Sequence, residues 1–407
     1  MVKKSNGMAI QADSDLHQQM VSWRHWLHQH PELMFEEFLS SDFIASVLES
    51  HDIEMHRGLA TTGIVATVHG ANNTDDNRGK AIGLRADMDA LPIPEQNQFA
   101  HKSRHDGKMH ACGHDGHSAM LLGAAVYLKQ NNNFRGTVHF IFQPAEEGGG
   151  GGKIMVEEGL FERFPCQAVY GMHNWPGLAA GEFAVHDRAV MAAVDKIEIS
   201  IQGKGGHAAM PEQLVDPILT GAQVIIALQS IVSRNLSPLD SAVISLTMLE
   251  AGHASNVMPD ELKITGTLRY FYAEEGERIK KRMEKIITNT CEAMGAQGTL
   301  KITSGYPATI NHPRHAQKCA EAAIQVSSQD AVQRDLPPTM GGEDFSFMLN
   351  ACEGAYIWIG NGKVPAEEAG SACMLHNTKY DFNDDILPLG ASYWIQLVQN
   401  ELAWEPA

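Results

Sequence analysis

Basic residues are in short supply. Lysine and arginine number 31 against 49 aspartates and glutamates, a formal net charge of −18. No Lys/Arg-rich run occurs, so the electrostatic footprint of a nucleic-acid binder is missing. The 6 cysteines, Cys112, Cys166, Cys291, Cys319, Cys352 and Cys373, are scattered without framework spacing. That distribution predicts reduced thiols in a cytoplasmic protein, not a disulfide scaffold. No apolar run approaches the ~20 residues a membrane helix needs, so no membrane partner is expected. The polar stretch 1–11 offers no apolar core for a signal peptide. A Gly-x-Ser-x-Gly elbow and a P-loop are both lacking, so serine-nucleophile and nucleotide chemistry have no support.

What is there includes a dense cluster of ligand-type residues. His110-Ala-Cys-Gly-His-Asp-Gly-His117 packs three histidines, a cysteine and an aspartate into one short stretch. Its only apolar residue besides the cysteine is Ala111, so it does not read as a core segment. Cys112 and His114 converge on one metal ion if the backbone bends, and Gly113 and Gly116 permit a bend. Thiolate and imidazole suit zinc or a neighbouring first-row metal, not magnesium or calcium. The competing reading is a polar surface loop with chance histidines in a histidine-rich chain.

The chain's 407 residues suggest two or three domains. Ser14 or Asp13 caps a predicted helix with Leu16, Met20, Trp23 and Leu27 on one face, which stops before Pro31. A second helix is predicted over 36–50, then strands over 64–68 and 81–86 with 72–80 as a surface hairpin loop. A helix over 118–130 follows, then a strand over 137–143, a glycine-rich run at 148–152 with a short helix, and a strand over 168–173. Strands alternating with helices predict an α/β domain with a mostly parallel sheet between helices. From about residue 192 the order becomes β-α-β-β-α-β, a ferredoxin-like unit. It comprises strands near 197–201, 241–250, 261–270 and 299–303, with helices over 217–235 and near 279–290. α/β character then returns, with a helix over 313–328, a strand over 355–359 and a last helix over 387–402. The expected division is 1–190 with 305–407, and 191–304.

Several candidate ligands fall at or beyond strand ends, where open α/β sheets place their sites. They are Cys112 and His114, the pair Glu146 and Glu147, His173, and His376. Two adjacent carboxylates suggest divided labour. One held as a ligand leaves the other to take a proton from an activated water.

These stretches resemble the aminoacylase/carboxypeptidase G superfamily of metallohydrolases. The nearest resemblance is to its branch of hippurate hydrolases, N-acyl-amino-acid amidohydrolases and indole-acetyl-amino-acid hydrolases. The matching motifs are Trp26-Leu-His-Gln-His-Pro-Glu-Leu33, Leu84-Arg-Ala-Asp-Met-Asp-Ala-Leu-Pro92 and Met109-His-Ala-Cys-Gly-His-Asp-Gly-His117. They continue with Phe142-Gln-Pro-Ala-Glu-Glu-Gly148, Gly171-Met-His-Asn174, Gly203-Lys-Gly-Gly-His-Ala208, Ser255-Asn-Val-Met-Pro-Asp260 and Leu375-His-Asn377. The resemblance implies two divalent ions (zinc, manganese, nickel or cobalt) held by Cys112, His114, Glu147, His173 and His376. It implies Glu146 as general base and Asp89 as the carboxylate that orients a ligand histidine. It further implies His207 as oxyanion donor, and Asn256 and Arg269 as holders of the substrate carboxylate. The inserted unit becomes a lid and dimerisation domain of a cytoplasmic homodimer or homotetramer. The implied reaction is hydrolysis of an N-acyl or N-aroyl amino acid to a carboxylic acid and a free amino acid. Two other readings stand beside it: a small-peptide carboxypeptidase or dipeptidase on the same site, and a non-catalytic binding protein. The intact Glu146 argues against the last, because binding alone needs no spare base.

Overall fold

The first helix, Asp15–Gln29, starts where its cap dictates: Ser14 accepts the His17 N–H at 3.3 Å. The computed structural model describes residues 7–72, 80–362 and 374–404. Most of the predicted 72–80 loop, and Cys373, lie outside the described residues. The chain divides into two compact units. One comprises Met1–Val190, Ile310–Pro337 and Asp344–Ala407; the other comprises Met191–Thr309 and Pro338–Glu343.

An eight-stranded sheet runs through the first unit. Its order is Glu54–Leu59, Gly63–His69, Thr137–Gln143, Ala81–Asp87, Ala168–Pro176, Gly354–Gly362, Phe183–Ala184 and Val332–Gln333. The four central strands, Thr137–Gln143 to Gly354–Gly362, are mutually parallel. They are almost wholly buried, as parallel strands covered by helices are. The strands Gly63–His69 and Ala81–Asp87 form no hairpin: Thr137–Gln143 lies between them, antiparallel to the first and parallel to the second. Strand Glu54–Leu59, absent from the sequence reading, pairs antiparallel with Gly63–His69 at the sheet edge. Helix His114–Gln130 packs against Asp15–Gln29 and Leu387–Glu401, and the latter against Pro313–Val326. Their apolar faces form one core with the strands. A second pair of helices, Gly151–Glu157 and Phe345–Ala351, packs together. The latter helix was also not anticipated from the sequence.

The second unit is a four-stranded antiparallel sheet in the order Ala242–Glu250, Glu261–Tyr270, Ala193–Gln202 and Gln297–Ser304. Ile197, Ile199 and Ile201 alternate with half-exposed or exposed residues along one strand, and Leu262, Ile264 and Leu268 line the next. The helices Pro217–Ser230 and Ala273–Ala293 cover this face with Val224, Leu228, Ile279, Met283 and Ile287. Fully burying each such side chain contributes about 1.5–3 kcal/mol before entropy is counted. The longer helix buries Ile279, Met283, Ile287 and Cys291 on one face. One stretch among the described residues, Pro217–Asn235, is long and apolar enough by length and composition to cross a membrane. This corrects the expectation that no run comes near that length. The stretch is two-faced, with Thr220, Gly221, Val224 and Leu228 buried and Ile218, Leu219 and Ile226 exposed.

Candidate metal centre

The segment 110–117 is buried throughout, which corrects its reading as a non-core stretch. Most of its polar side chains find partners inside: His114 meets Asp89, Asp115 meets His28 and His117 meets Asp87. Gly113 takes φ 100°, and the helix starts at His114, four residues earlier than predicted. His114 therefore sits in the first helical turn, not in the loop before it. A side chain at Gly113 would collide with Asn174 and Tyr380, so both the left-handed turn and the close approach require glycine. Gly116 serves a different purpose from the expected bend. It lies within the helix, where a Cβ would run into the Phe382 ring.

Ligand-type atoms from four places in the chain meet in this first unit. Within three overlapping groups, all atoms lie within 4.8 Å of one another: Cys112, His114 and His173; Cys112, Glu147 and His376; and His114, Glu146 and Glu147. Cys112 Sγ is 3.3 Å from His173 Nε2. The other ring nitrogen of His173, Nδ1, donates to the Asn174 carbonyl at 2.6 Å. That bond fixes the tautomer and leaves Nε2 as a lone-pair donor. His114 Nδ1 lies 3.2 Å from Asp89 Oδ1, and the other Asp89 oxygen accepts the Glu147 N–H at 2.9 Å. Glu147 Oε1 is 3.1 Å from His376 Nε2. His376 holds φ 63°, and its N–H donates to the Ala111 carbonyl at 2.7 Å. That bond ties the loop to the Cys112 segment.

The electrostatics follow from burial and neighbours. Burial disfavours a charged His114 ring, but the Asp87 and Asp89 carboxylates overcome it and raise its pKa to about 10. Burial and the neighbouring His117 hold His173 well below the usual imidazole value. Burial, then the Glu147 and Glu146 carboxylates, push the Cys112 thiol up. Burial works to raise Glu147, yet His376 and His114 bring it below the usual carboxylate range. Among the described residues, buried His114 Nε2 has no hydrogen-bond partner, the nearest carboxylate oxygen, of Asp87, lying 3.7 Å away. Buried polar atoms rarely stay unpaired, and a donor set of sulfur, nitrogen and oxygen fits a borderline first-row cation.

His117, Asp87 and Asn174, which carry no role in the motifs of the sequence, pack against this cluster. His117 Nδ1 meets Asp87 Oδ1 at 2.6 Å, and its Nε2 lies 2.7 Å from Asn174 Oδ1. Asp87 also accepts from Arg85 at 2.8 Å and lies 3.7 Å from His114 Nε2. Spacing held a clue: His114 and His117 are three apart on one helix and so share a face.

The remaining predicted residues lie in the second unit. His207 sits on the short strand Gly206–His207, paired with Val257–Met258, and is exposed. Its Nδ1 accepts the Ala209 N–H at 3.1 Å. Asn256, also exposed, gives its carbonyl to the Ala208 N–H at 3.1 Å. Arg269 is half-buried on strand Glu261–Tyr270 and donates to Thr267 Oγ1 at 2.6 Å.

Comparison with known proteins agrees in length and kind. A profile of the family described as Peptidase family M20/M25/M40 matches residues 83–400. A hippurate hydrolase of Campylobacter jejuni is 37% identical over 383 residues, covering 94% of this chain and 96% of its own. An N-acetylcysteine deacetylase of Bacillus subtilis is 37% identical over 388 residues, covering 95% and 97%. A crystal structure from Bacillus subtilis, described as a dinuclear metal binding peptidase, superposes with a TM-score of 0.82 at 32% identity, covering 95% and 98%.

Proposed function

We propose, since this chain belongs to the Peptidase family M20/M25/M40, that it is a metal-dependent amidohydrolase of N-acyl amino acids. Its products are a carboxylic acid and a free amino acid. The observation that carries the reading is the meeting of Cys112, His114, Glu147, His173 and His376 in overlapping groups of ligand-type atoms, with Glu146 beside them. We assign those five as ligands of two divalent ions (zinc, manganese, nickel or cobalt). When bound, such ions polarise the amide carbonyl and lower the pKa of a water toward ~7. Glu146 takes the proton of the attacking water and delivers it to the amine nitrogen as the C–N bond breaks. Asp89 holds the His114 ring in orientation through Nδ1.

For His207, Asn256 and Arg269 the proposal rests on the sequence resemblance alone: oxyanion donor for the first, carboxylate holders for the other two. The same resemblance makes the second unit a lid and dimer surface of a cytoplasmic homodimer or homotetramer. The exposed Ile218, Leu219 and Ile226 on its helix, and Met248 and Leu249 on its edge strand, are consistent with a covered face.

A second reading, small-peptide hydrolysis, is favoured by the peptidase description of the superposed Bacillus subtilis structure. The deciding experiment uses metal-reconstituted protein with N-benzoylglycine, N-acetylcysteine and unblocked dipeptides in parallel. Turnover of the acylated substrates over the dipeptides is expected. Dipeptide hydrolysis with inert acyl amino acids would replace the first reading by the second.

A further inference from the structure

Two thiols far from the ligand cluster face each other at the amino ends of neighbouring strands. Cys166 lies just ahead of strand Ala168–Pro176, and Cys352 just ahead of strand Gly354–Gly362. These strands are parallel neighbours with Gly354 opposite Val169, and the Val169 N–H donates to the Glu353 carbonyl at 2.8 Å. The register therefore delivers both cysteines to one end of the sheet. Their sulfurs are 3.8 Å apart, and the Cys352 thiol also points at the Cys166 carbonyl at 3.5 Å. Both are half-buried free thiols, whereas Cys112, Cys291 and Cys319 are buried. Neighbouring strands lie ~4.7–4.9 Å apart, inside the ~4.4–6.8 Å Cα window of disulfides. Closing the sulfur gap to ~2.05 Å asks for side-chain movement of roughly 2 Å and no change of register.

We propose that Cys166 and Cys352 form an oxidisable dithiol that hydrogen peroxide closes reversibly to a disulfide, stapling the amino ends of two central strands. One sulfur, as thiolate, attacks the peroxide O–O bond, forming a sulfenic acid and releasing hydroxide. The second sulfur then attacks the first and expels water as the S–S bond forms. In total, two thiols and one peroxide give one disulfide and two waters. A dithiol reductant reverses the bond by exchange. Cys352 is the better first nucleophile. The hydrogen bond from Cys166 holds its pKa below the usual thiol value, while the same contact and burial push Cys166 up. The residues flanking the pair, Gln167 and Glu353, line a cleft of about 410 Å³ with Lys80, Arg314 and Lys318, which opens that end of the sheet to small solutes. His173 lies seven positions along the strand from Cys166, roughly 20 Å away. The staple therefore leaves the ligand cluster where it is.

The test is peptide mapping of the intact protein after brief peroxide treatment, acid quenching and alkylation. The expected product is a linked pair of peptides containing Cys166 and Cys352, lighter by two hydrogens and abolished by dithiothreitol. Because the bond closes a loop spanning 186 residues, the oxidised protein should melt several degrees above the reduced one. Cys166→Ser should remove the linked peptide and the melting shift, and leave Cys352 trappable by dimedone as a sulfenic acid. Recovery of both cysteines as alkylated free thiols, or as separate sulfinic acids, would overturn the proposal. Should the serine variant fail to fold, the wild-type map alone still decides.

Discussion

Asp89 joins two parts of the candidate site through its two oxygens: Oδ1 meets His114 Nδ1 at 3.2 Å, and Oδ2 accepts the Glu147 N–H at 2.9 Å. A carboxylate is acceptor-only, so both contacts are satisfied at once. An amide in its place offers one acceptor and sets an NH2 against the other donor. Asp89→Asn should therefore leave a buried donor unpaired and loosen His114 and Glu147 together. We expect metal affinity to fall about 10–100-fold. Titration of metal-free protein with zinc measures this directly. Unchanged affinity in the folded variant would remove Asp89 from the ligand-orienting role.

Chelation should abolish hydrolysis of N-acyl amino acids, and zinc, manganese, cobalt or nickel should restore part of it. The expectation follows from the five donor residues gathered within reach of one another. Elemental analysis must accompany the assay. Full activity in protein shown to be metal-free would end the metal mechanism.

Glu146→Gln should keep the metals and lose the base. The shapes of the two side chains are nearly equal, so folding should survive. General-base catalysis contributes about 10²–10⁴-fold, and turnover should fall by at least that scale. Glu147→Gln should instead lose metal and activity together. A near-normal rate for Glu146→Gln would move the base elsewhere.

The site was more legible in the sequence than the sheet that carries it. Cys112, His114, Glu147, His173 and His376 are chemically distinctive residues at strand ends or just past them, where pattern and position reinforce each other. The burial of 110–117 was hidden, because a one-dimensional pattern counts His117 and Asp115 as polar. Their partners, Asp87 and His28, lie far off in sequence. Strand Glu54–Leu59 escaped because its side chains are mostly exposed or half-exposed at a sheet edge. The intercalation of Thr137–Gln143 between its neighbours escaped because pairing order is set by packing, not by local propensity.

His28 predicts a pH dependence of stability. Its Nδ1 lies 2.8 Å from Asp115 and its Nε2 3.1 Å from Glu95. Burial opposes its charged form, but the two carboxylates raise its pKa to about 9. The unfolded value is ~6.5. The folded state thus holds the proton more tightly, and the stability this contributes is fully present below pH 6.5. It is lost as pH rises from 6.5 through 9. Denaturant midpoints of protein at a fixed metal load should fall across that window. His28→Gln should be less stable at pH 6 and show a flatter profile. Parallel profiles for variant and wild type would show that His28 does not bind its proton more tightly on folding.

The strongest test of the second unit's proposed catalytic role concerns His207. This residue lies on the two-residue strand Gly206–His207, exposed, with its Nδ1 accepting the Ala209 N–H. Its Nε2 is therefore available to donate when Nδ1 accepts. As the amide is attacked, its carbonyl oxygen gains negative charge. A donor to that oxygen strengthens in the transition state and so raises turnover more than ground-state binding. His207→Ala should lower kcat by about 10²–10³-fold, the scale for loss of one oxyanion donor. KM should change far less, and metal content should stay as in the wild type, because the proposal gives His207 no ligand role. Steady-state kinetics and elemental analysis on one preparation separate the outcomes. Wild-type turnover would make His207 an ordinary exposed histidine. Loss of metals would place it among the ligands, which the proposed set of five excludes.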